Sequence, residues 1–331
     1  MTEEERIRLG HGGGGTLTQA LLDQELRCLY ANPAELLHDA ALLRLPPGEL
    51  AFTTDSYVVH PLEFPGGDIG QLAITGTAND LAMAGARPAR VSVALILEEG
   101  LEMACLRRIV ASMSRAAATC GMAIVTGDTK VVERGKADRL FITTSGVGVV
   151  ESPWPIGPGA IAAGDQLVVS GDLGRHGLAI LAARHGLALE PPITSDCAPL
   201  WPLVERCLQG GTRFHCLRDL TRGGLASALQ ELASAAAATF QIEEERVPVP
   251  PAVARACEIL GFEPFHLANE GRFLAVVPPD HLASTLSQLA PRGGRWIGEV
   301  QPGEGRVVMR TRYGSERLLL PPSGELLPRI C

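Results

Sequence analysis

The chain has 331 residues, 46% of them hydrophobic and 20% charged, with a formal net charge of -8. That length suits two domains, each able to bury a core. The acidic balance and an aromatic content of only 4% exclude a general nucleic-acid binder, which needs clustered Lys and Arg and stacking rings.

The N-terminus, Met1 to Gly15, lacks the basic start and apolar stretch of a signal peptide. No segment offers about 18 unbroken apolar residues, so no membrane span is expected and the expected location is cytoplasmic. Glu49 to Asp55 reads as a strand that ends in a carboxylate. A Gly- and Pro-rich loop follows, Pro61 to Gly70. Ile69 to Gly85 carries apolar residues at helical spacing (Leu72, Ala73, Ala78, Leu81, Ala82). Arg90 to Leu97 is a β-branched strand candidate. Glu102 to Cys120 has an amphipathic helical pattern stopped by Gly121. Met122 to Thr126 and Leu140 to Val150 read as further strands.

Ser152 to Gly164 has crowded Gly and Pro and no periodicity, which makes it the expected inter-domain linker. Gln166 to Ser170 restarts the pattern as a strand. Leu220 to Ala238 is a strong helix candidate, Phe273 to Val277 a strand, and Arg306 to Arg310 with Glu316 to Leu320 a last hairpin. The fold class expected is α/β (α+β): mixed sheets with helices, domains over 1–152 and 153–320, and an extended, mobile tail over 321–331, where Pro and Gly gather.

Seven segments carry residue types suited to chemistry. Gly12, Gly13, Gly14 and Gly15 follow His11 and leave backbone amides uncovered, as a phosphate lid would, although a plain terminal loop has the same composition. Asp55 closes a strand. Asn79 and Asp80 interrupt an Ala-rich helix pattern, where a carboxylate is costly unless paired or bound to a metal. Asp128, Thr129 and Lys130 sit at another strand end. Converging Asp residues suit Mg²⁺, which prefers oxygen ligands and phosphate partners, while any one of them also suits a cap or turn. Asp219 to Gly224 puts Gly-Gly before a helix, with Arg222 able to hold phosphate in two-pronged fashion. An ordinary N-cap reads the same way. Glu270, before a Gly-bounded strand, fits a general base or a surface turn. Last comes Cys331. Of eight cysteines the other seven read as small buried hydrophobes, but a terminal thiol is accessible and can be acylated, although an incidental Cys at a tolerant terminus reads the same way.

Together these segments resemble the HypE family of hydrogenase maturation proteins. That family lies in the superfamily of aminoimidazole ribonucleotide synthetase, selenophosphate synthetase and thiamine monophosphate kinase. The resemblance runs from His11 to Cys331. Its superfamily signals are Thr54-Asp55, Asn79-Asp80, Gly127-Asp128 and Asp219 to Gly224. Its narrower signals are Phe64 to Gly70, Gly127 to Val132 and the Pro328-Arg329-Ile330-Cys331 tail. One departure is Asp68, where relatives carry Asn.

The resemblance implies a two-domain aminoimidazole ribonucleotide synthetase-like fold, with the N-terminal domain binding ATP and forming a homodimer. It implies that a carbamoyltransferase, HypF, loads a carbamoyl group onto Cys331. ATP then activates the carboxamide oxygen, and loss of phosphate leaves a thiocyanate. The cyanide passes to a HypC–HypD complex for the [NiFe] centre. Asp55, Asp80 and Asp128, with Asp219 as a fourth candidate, would hold Mg²⁺. Gly12 to Gly15 would close over the phosphates, with Asn79, Thr129 and Arg222 among the nucleotide contacts. Lys130 would stabilise the transferred phosphoryl group and Glu270 would take the amide proton. Two other readings compete: a small-molecule kinase or synthetase of the same superfamily, and a non-catalytic nucleotide-binding scaffold that presents its tail.

Overall fold

The structure is a computed structural model that describes residues 6–30 and 40–321. After a short helix α1 (Thr16–Leu21), the first half builds strands β1 (Leu50–Tyr57), β2 (Glu63–Phe64) and β3 (Gly67–Asp68), then helix α2 (Ile69–Met83). Strand β4 (Ala86–Glu98), helix α3 (Met103–Cys120), and strands β5 (Ala123–Val132) and β6 (Leu140–Val150) complete it. The second half runs β7 (Gln166–Val169), α4 (Arg175–His185), α5 (Trp201–Gln209), β8 (Cys216–Asp219), α6 (Gly224–Ala235), β9 (Ala238–Glu243), α7 (Pro251–Leu260), β10 (Phe273–Val277), α8 (Leu282–Leu289), β11 (Arg295–Pro302), β12 (Arg306–Arg310) and β13 (Glu316–Leu318).

The first sheet has the order β1-β6-β4-β5. β1 and β6 are antiparallel, as are β6 and β4, whereas β4 and β5 run parallel. Alternation sorts the side chains. Tyr57, Ile142, Val91, Val93 and Leu95 are buried in one core with α2 and α3. The other face leaves Leu50, Phe52 and Ile96 exposed. α3 is the amphipathic helix that its spacing predicts, and it stops at Gly121, whose φ of 68° closes it in the left-handed region.

α2 differs from that pattern. It is buried on nearly every side, because the first sheet, α3 and the second half all pack on it. Its start is set by Asp68, whose carboxylate accepts N–H bonds from Gly70 at 2.8 Å and Gln71 at 2.9 Å. Asn caps a helix about as well as Asp does, which explains the departure at this residue.

The second sheet has the order β13-β12-β9-β11-β7-β10-β8. Leu274 and Val276 of β10 join α6 on one face, while Phe273, Ala275 and Val277 join α5 on the other. A strand covered on both faces reads as an unbroken apolar run, here Phe-Leu-Ala-Val-Val. The expected helix over 220–238 forms only from Gly224, because residues 220–223 turn into the site described below. Strands β2, β3, β8, β9 and β11 and helices α1, α5, α7 and α8 are additions to the sequence reading. Cys28 is exposed, contrary to expectation, whereas Cys105, Cys120, Cys197, Cys207, Cys216 and Cys257 are buried. No helix among the described residues is long and apolar enough to cross a membrane. Cys331 and residues 322–330 lie outside the described residues.

Candidate functional site

Two edges meet at a cavity of about 190 Å³ lined by Thr54, Asp55, Tyr57, Gly76, Asp80, Arg218, Asp219, Thr221, Arg222 and Glu270. Asp55 comes from β1, the edge of the first sheet, and Asp80 from α2 beneath it. Asp219 is the last residue of β8, the edge of the second sheet. Glu270 arrives on the segment that leads into β10, next to β8. Residues 215 positions apart in the chain thus share one pocket.

The carboxylates crowd one another. Thr53 donates its hydroxyl to Asp80 at 2.8 Å, yet burial and the charge of Asp55 still raise the Asp80 pKa. Asp219 is pushed up to about 7 by burial and then by Asp80. Glu270 is 3% exposed, and burial, with Asp219 and Asp196 nearby, drives its pKa far above the usual carboxylate range. Its Oε1 is buried without a hydrogen-bond partner among the described residues. Arg218 pairs with Glu231 at 2.7 Å and so is committed outward. Arg222 is exposed beside the cavity.

No group of three His, Cys, Asp or Glu side chains among the described residues forms a ready metal centre. The donor set nevertheless suits Mg²⁺. This ion takes one or two carboxylates and completes its shell with phosphate oxygens and water, and it relieves the mutual repulsion recorded in the raised pKa values.

A second group of expected site residues gathers elsewhere. Asp128 and Lys130 of β5 form an exposed ion pair at 2.8 Å, and Lys130 holds the Asp128 carboxyl below its usual range. The Thr129 N–H also donates to Asp128 at 2.8 Å. The Gly-rich loop lies against this strand: a Cβ on Gly12 would meet Val131 Cβ at 2.9 Å. At Gly14 and Gly15 a Cβ would meet nothing within 4 Å, so that backbone is open to a ligand.

The register separates the two groups. Asp55 lies opposite Thr144, Thr144 opposite Val93, and Val93 opposite Gly127. Asp55 and Asp128 are therefore three strands apart, roughly 14 Å at about 4.8 Å per strand. The convergence of Asp55, Asp80 and Asp128 expected from the sequence does not occur within one copy of the chain. Asp55 and Asp80 are instead joined by Asp219.

Asn79 has a different part from nucleotide contact. It is 2% exposed and its amide is fully engaged: Nδ2 donates to the carbonyls of Ala198 at 3.1 Å and Glu270 at 3.2 Å, and Oδ1 accepts from the Leu200 N–H at 2.8 Å. It ties α2 to the segments of the second half. Sequence reasoning missed Tyr57, whose buried ring forms a wall of the cavity, and Asp196, which lies in an aperiodic loop.

The Asp219 shift has a measurable consequence. A folded-state pKa near 7 lies above the unfolded value of 3.8. The folded protein therefore holds this proton more tightly, and the stabilisation that it brings is fully present below about pH 4 and is lost as pH rises through 7. Metal-free wild type should lose more melting temperature between pH 5 and pH 8 than Asp219→Asn does. Mg²⁺ should raise the melting temperature of wild type more at pH 8 than at pH 5, because it competes with that proton. Equal pH slopes for the two proteins would contradict the assignment.

Family models for AIR synthase related proteins match the chain, the N-terminal domain over residues 37–150 and the C-terminal domain over 162–310. The carbamoyl dehydratase HypE of Rhodobacter capsulatus is 48% identical, with 99% of each chain covered. A crystal structure of the hydrogenase maturation protein HypE in complex with ATP superimposes with a TM-score of 0.93 at 43% identity, covering 98% of this chain and 99% of that one. A chain of the crystal structure of a HypE–HypF complex gives 0.81 at 40% identity, covering 93% of this chain and 100% of that one.

Proposed function

The chain belongs to the carbamoyl dehydratase HypE family of AIR synthase related proteins, and from that membership we propose that it turns a carbamoyl group carried on Cys331 into a thiocyanate at the expense of ATP, in hydrogenase maturation. The observation that carries this reading is the cavity where Asp55, Asp80, Asp219 and Glu270 crowd beside Arg222. Arg222 offsets phosphate charge, the three Asp carboxylates would do so through a bound divalent cation, and Glu270 is left to take a proton.

An amide oxygen leaves poorly as hydroxide. Transfer of a phosphoryl group from ATP to that oxygen releases ADP and, with one N–H proton lost, makes an imidoyl phosphate. Breaking its C–O bond releases phosphate, and loss of the second N–H proton leaves R–S–C≡N. The net change converts R–S–C(O)NH₂ and ATP into R–S–C≡N, ADP, phosphate and one proton. Glu270 takes an amide proton. Its Oε1 is the buried acceptor without a partner, and its raised pKa makes it a stronger base once ionised. Arg222 grips phosphate oxygens. Bound Mg²⁺ would offset phosphate charge and would be held by Asp55, Asp80 and Asp219. The tether makes the substrate local, so its effective concentration follows from the reach of the tail.

The distance between the two groups of site residues supports a homodimer. Asp128, Thr129, Lys130 and the Gly12 to Gly15 loop flank β5, one edge of the first sheet, whereas the carboxylate cavity lies at the β1 edge. Two copies related by a twofold axis, packed through the face that exposes Phe52 and Ile96, would bring β5 of one beside β1 of the other. Each site would then take its cavity from one copy and its lid, Asp128 and Lys130 from the partner. HypF, the named companion in the solved HypE–HypF complex, is the source of the carbamoyl group, and HypC–HypD is the acceptor of the cyanide.

The test is the intact mass of the C-terminal peptide after carbamoylation and addition of ATP and Mg²⁺. Dehydration lowers it by one water, about 18 Da, as the activated-phosphate route requires. A carbamoylated tail of unchanged mass, with ATP consumed on an added small molecule, would instead favour the kinase reading.

A further inference from the structure

Glu270 lies on a backbone held from behind by a residue outside the cavity. Asp196 is 7% exposed and its carboxylate is fully covered. One oxygen accepts the Glu270 N–H at 3.2 Å, and the other accepts the Gly271 N–H at 3.1 Å. Among the described residues its ion-pair partner is Arg272, at 3.7 Å, which hydrogen-bonds more closely with Asp172. On the opposite side the Glu270 carbonyl accepts from Asn79. The segment carrying Asp196 is itself braced. Ser195 donates its N–H to the Pro65 carbonyl at 2.8 Å, and its hydroxyl meets His176 Nδ1 at 2.8 Å and the Cys197 N–H at 3.1 Å. Gly66 presses on the same residue. Its φ is 92°, and a Cβ there would stand 2.8 Å from the Ser195 nitrogen and 3.0 Å from its oxygen.

We propose that Asp196 is a positioning residue for Glu270, and that the Phe64 to Gly67 loop is the brace that sets Asp196. The inference rests on the reading of Glu270 as the proton acceptor. A buried carboxyl with one oxygen unpartnered has little around its own head group to orient it, so its aim is set by the backbone beneath. Burying the Asp196 charge is costly, and two short-range N–H bonds recover that cost only if both are formed, which makes the grip on residues 270 and 271 stiff. This also gives the Phe64 to Gly70 motif a role: Gly66 alone allows backbone-to-backbone contact with Ser195.

The experiment is a double-mutant cycle on the full chain, read as single-turnover formation of the dehydrated tail at saturating ATP. Asp196→Asn keeps the shape but loses one acceptor. In a wild-type background it should slow dehydration by about 10- to 100-fold, the scale expected of a misplaced reacting group, while the ATP concentration at half-saturation stays the same. In a Glu270→Gln background the same substitution should slow the residual reaction less than about 2-fold, since there is no base left to aim. An equal loss in both backgrounds would overturn the proposal, because a merely structural defect costs the same in each. If Glu270→Gln alone runs at the wild-type rate, the Glu270 assignment itself fails, which is a distinguishable result. Should Asp196→Asn not fold, Gly66→Ala enters the cycle in its place and must show the same coupling.

Discussion

Cys331→Ala is expected to bind ATP as tightly as wild type and to yield no dehydrated tail at all. The expected loss is total, because the variant removes the atom that carries the substrate rather than a group that speeds the reaction. An active-site substitution leaves residual turnover from positioning and charge, but without the sulfur there is no thiocarbamate to phosphorylate. ATP binding is expected to survive because the carboxylate cavity and the Gly-rich loop proposed to hold ATP lie in the folded halves, at residues 12–15, 54–80, 128–130, 218–222 and 270. The check is paired. Titration calorimetry with ATP should superimpose on wild type, while intact mass after treatment with the carbamoyl donor system and ATP should show neither the carbamoyl adduct nor its dehydrated form. A dehydrated product on any other residue would move the carrier away from the tail. Loss of ATP binding would mean that the terminal residue helps build the nucleotide site.

The second large effect concerns the two groups of site residues. Asp55→Asn and Asp128→Asn are each expected to be nearly inactive alone, and mixtures of the two, unfolded and refolded together, should recover about a quarter of wild-type activity. The arithmetic follows from twofold pairing. Random association makes about half of the dimers mixed, and a mixed dimer has one intact site and one site with both substitutions. The physical basis is the spacing of roughly 14 Å across three strands. Two Asp side chains shorten such a gap by only a few ångström each, and Mg²⁺ holds oxygens at about 2.1 Å. Asp128 therefore cannot serve the cavity of its own copy. If the mixture stays inactive while its components form mixed dimers, the shared site is wrong.

Strand and helix signals were largely legible in the chain. Leu140–Val150 and Phe273–Val277 form where alternation and apolar runs predict them, because those patterns arise from burial on one face or on both. α3 ends at Gly121 because a residue free to take positive φ follows the last turn. Less was legible where the chain is short of periodicity. β11 alternates less cleanly than β6, β9 and β11 pair with strands distant in sequence, and α7 and α8 span only 10 and 8 residues. Cys331 stood out through the resemblance that its Pro-Arg-Ile-Cys context carries.

What the sequence by itself determined was the inventory: which Asp, Glu, Gly, Lys and Arg residues stand out from their surroundings, and which apolar stretches must be covered, although Asp55 and Asp128, expected at strand ends, lie within β1 and β5. Those features depend on a residue and its near neighbours, through caps, turns and side-chain alternation. Only the tertiary structure decided which of them share a site. It joined Asp219 and Glu270 to Asp55 and Asp80, engaged Asn79 in holding backbone, put Asp128 three strands away, and set Asp196 behind Glu270. Each of these outcomes turns on strand order and on hydrogen bonds between residues 74 to 191 positions apart. Local propensity carries no record of such pairings, since they form only when α2 and the edges of the two sheets are buried against one another.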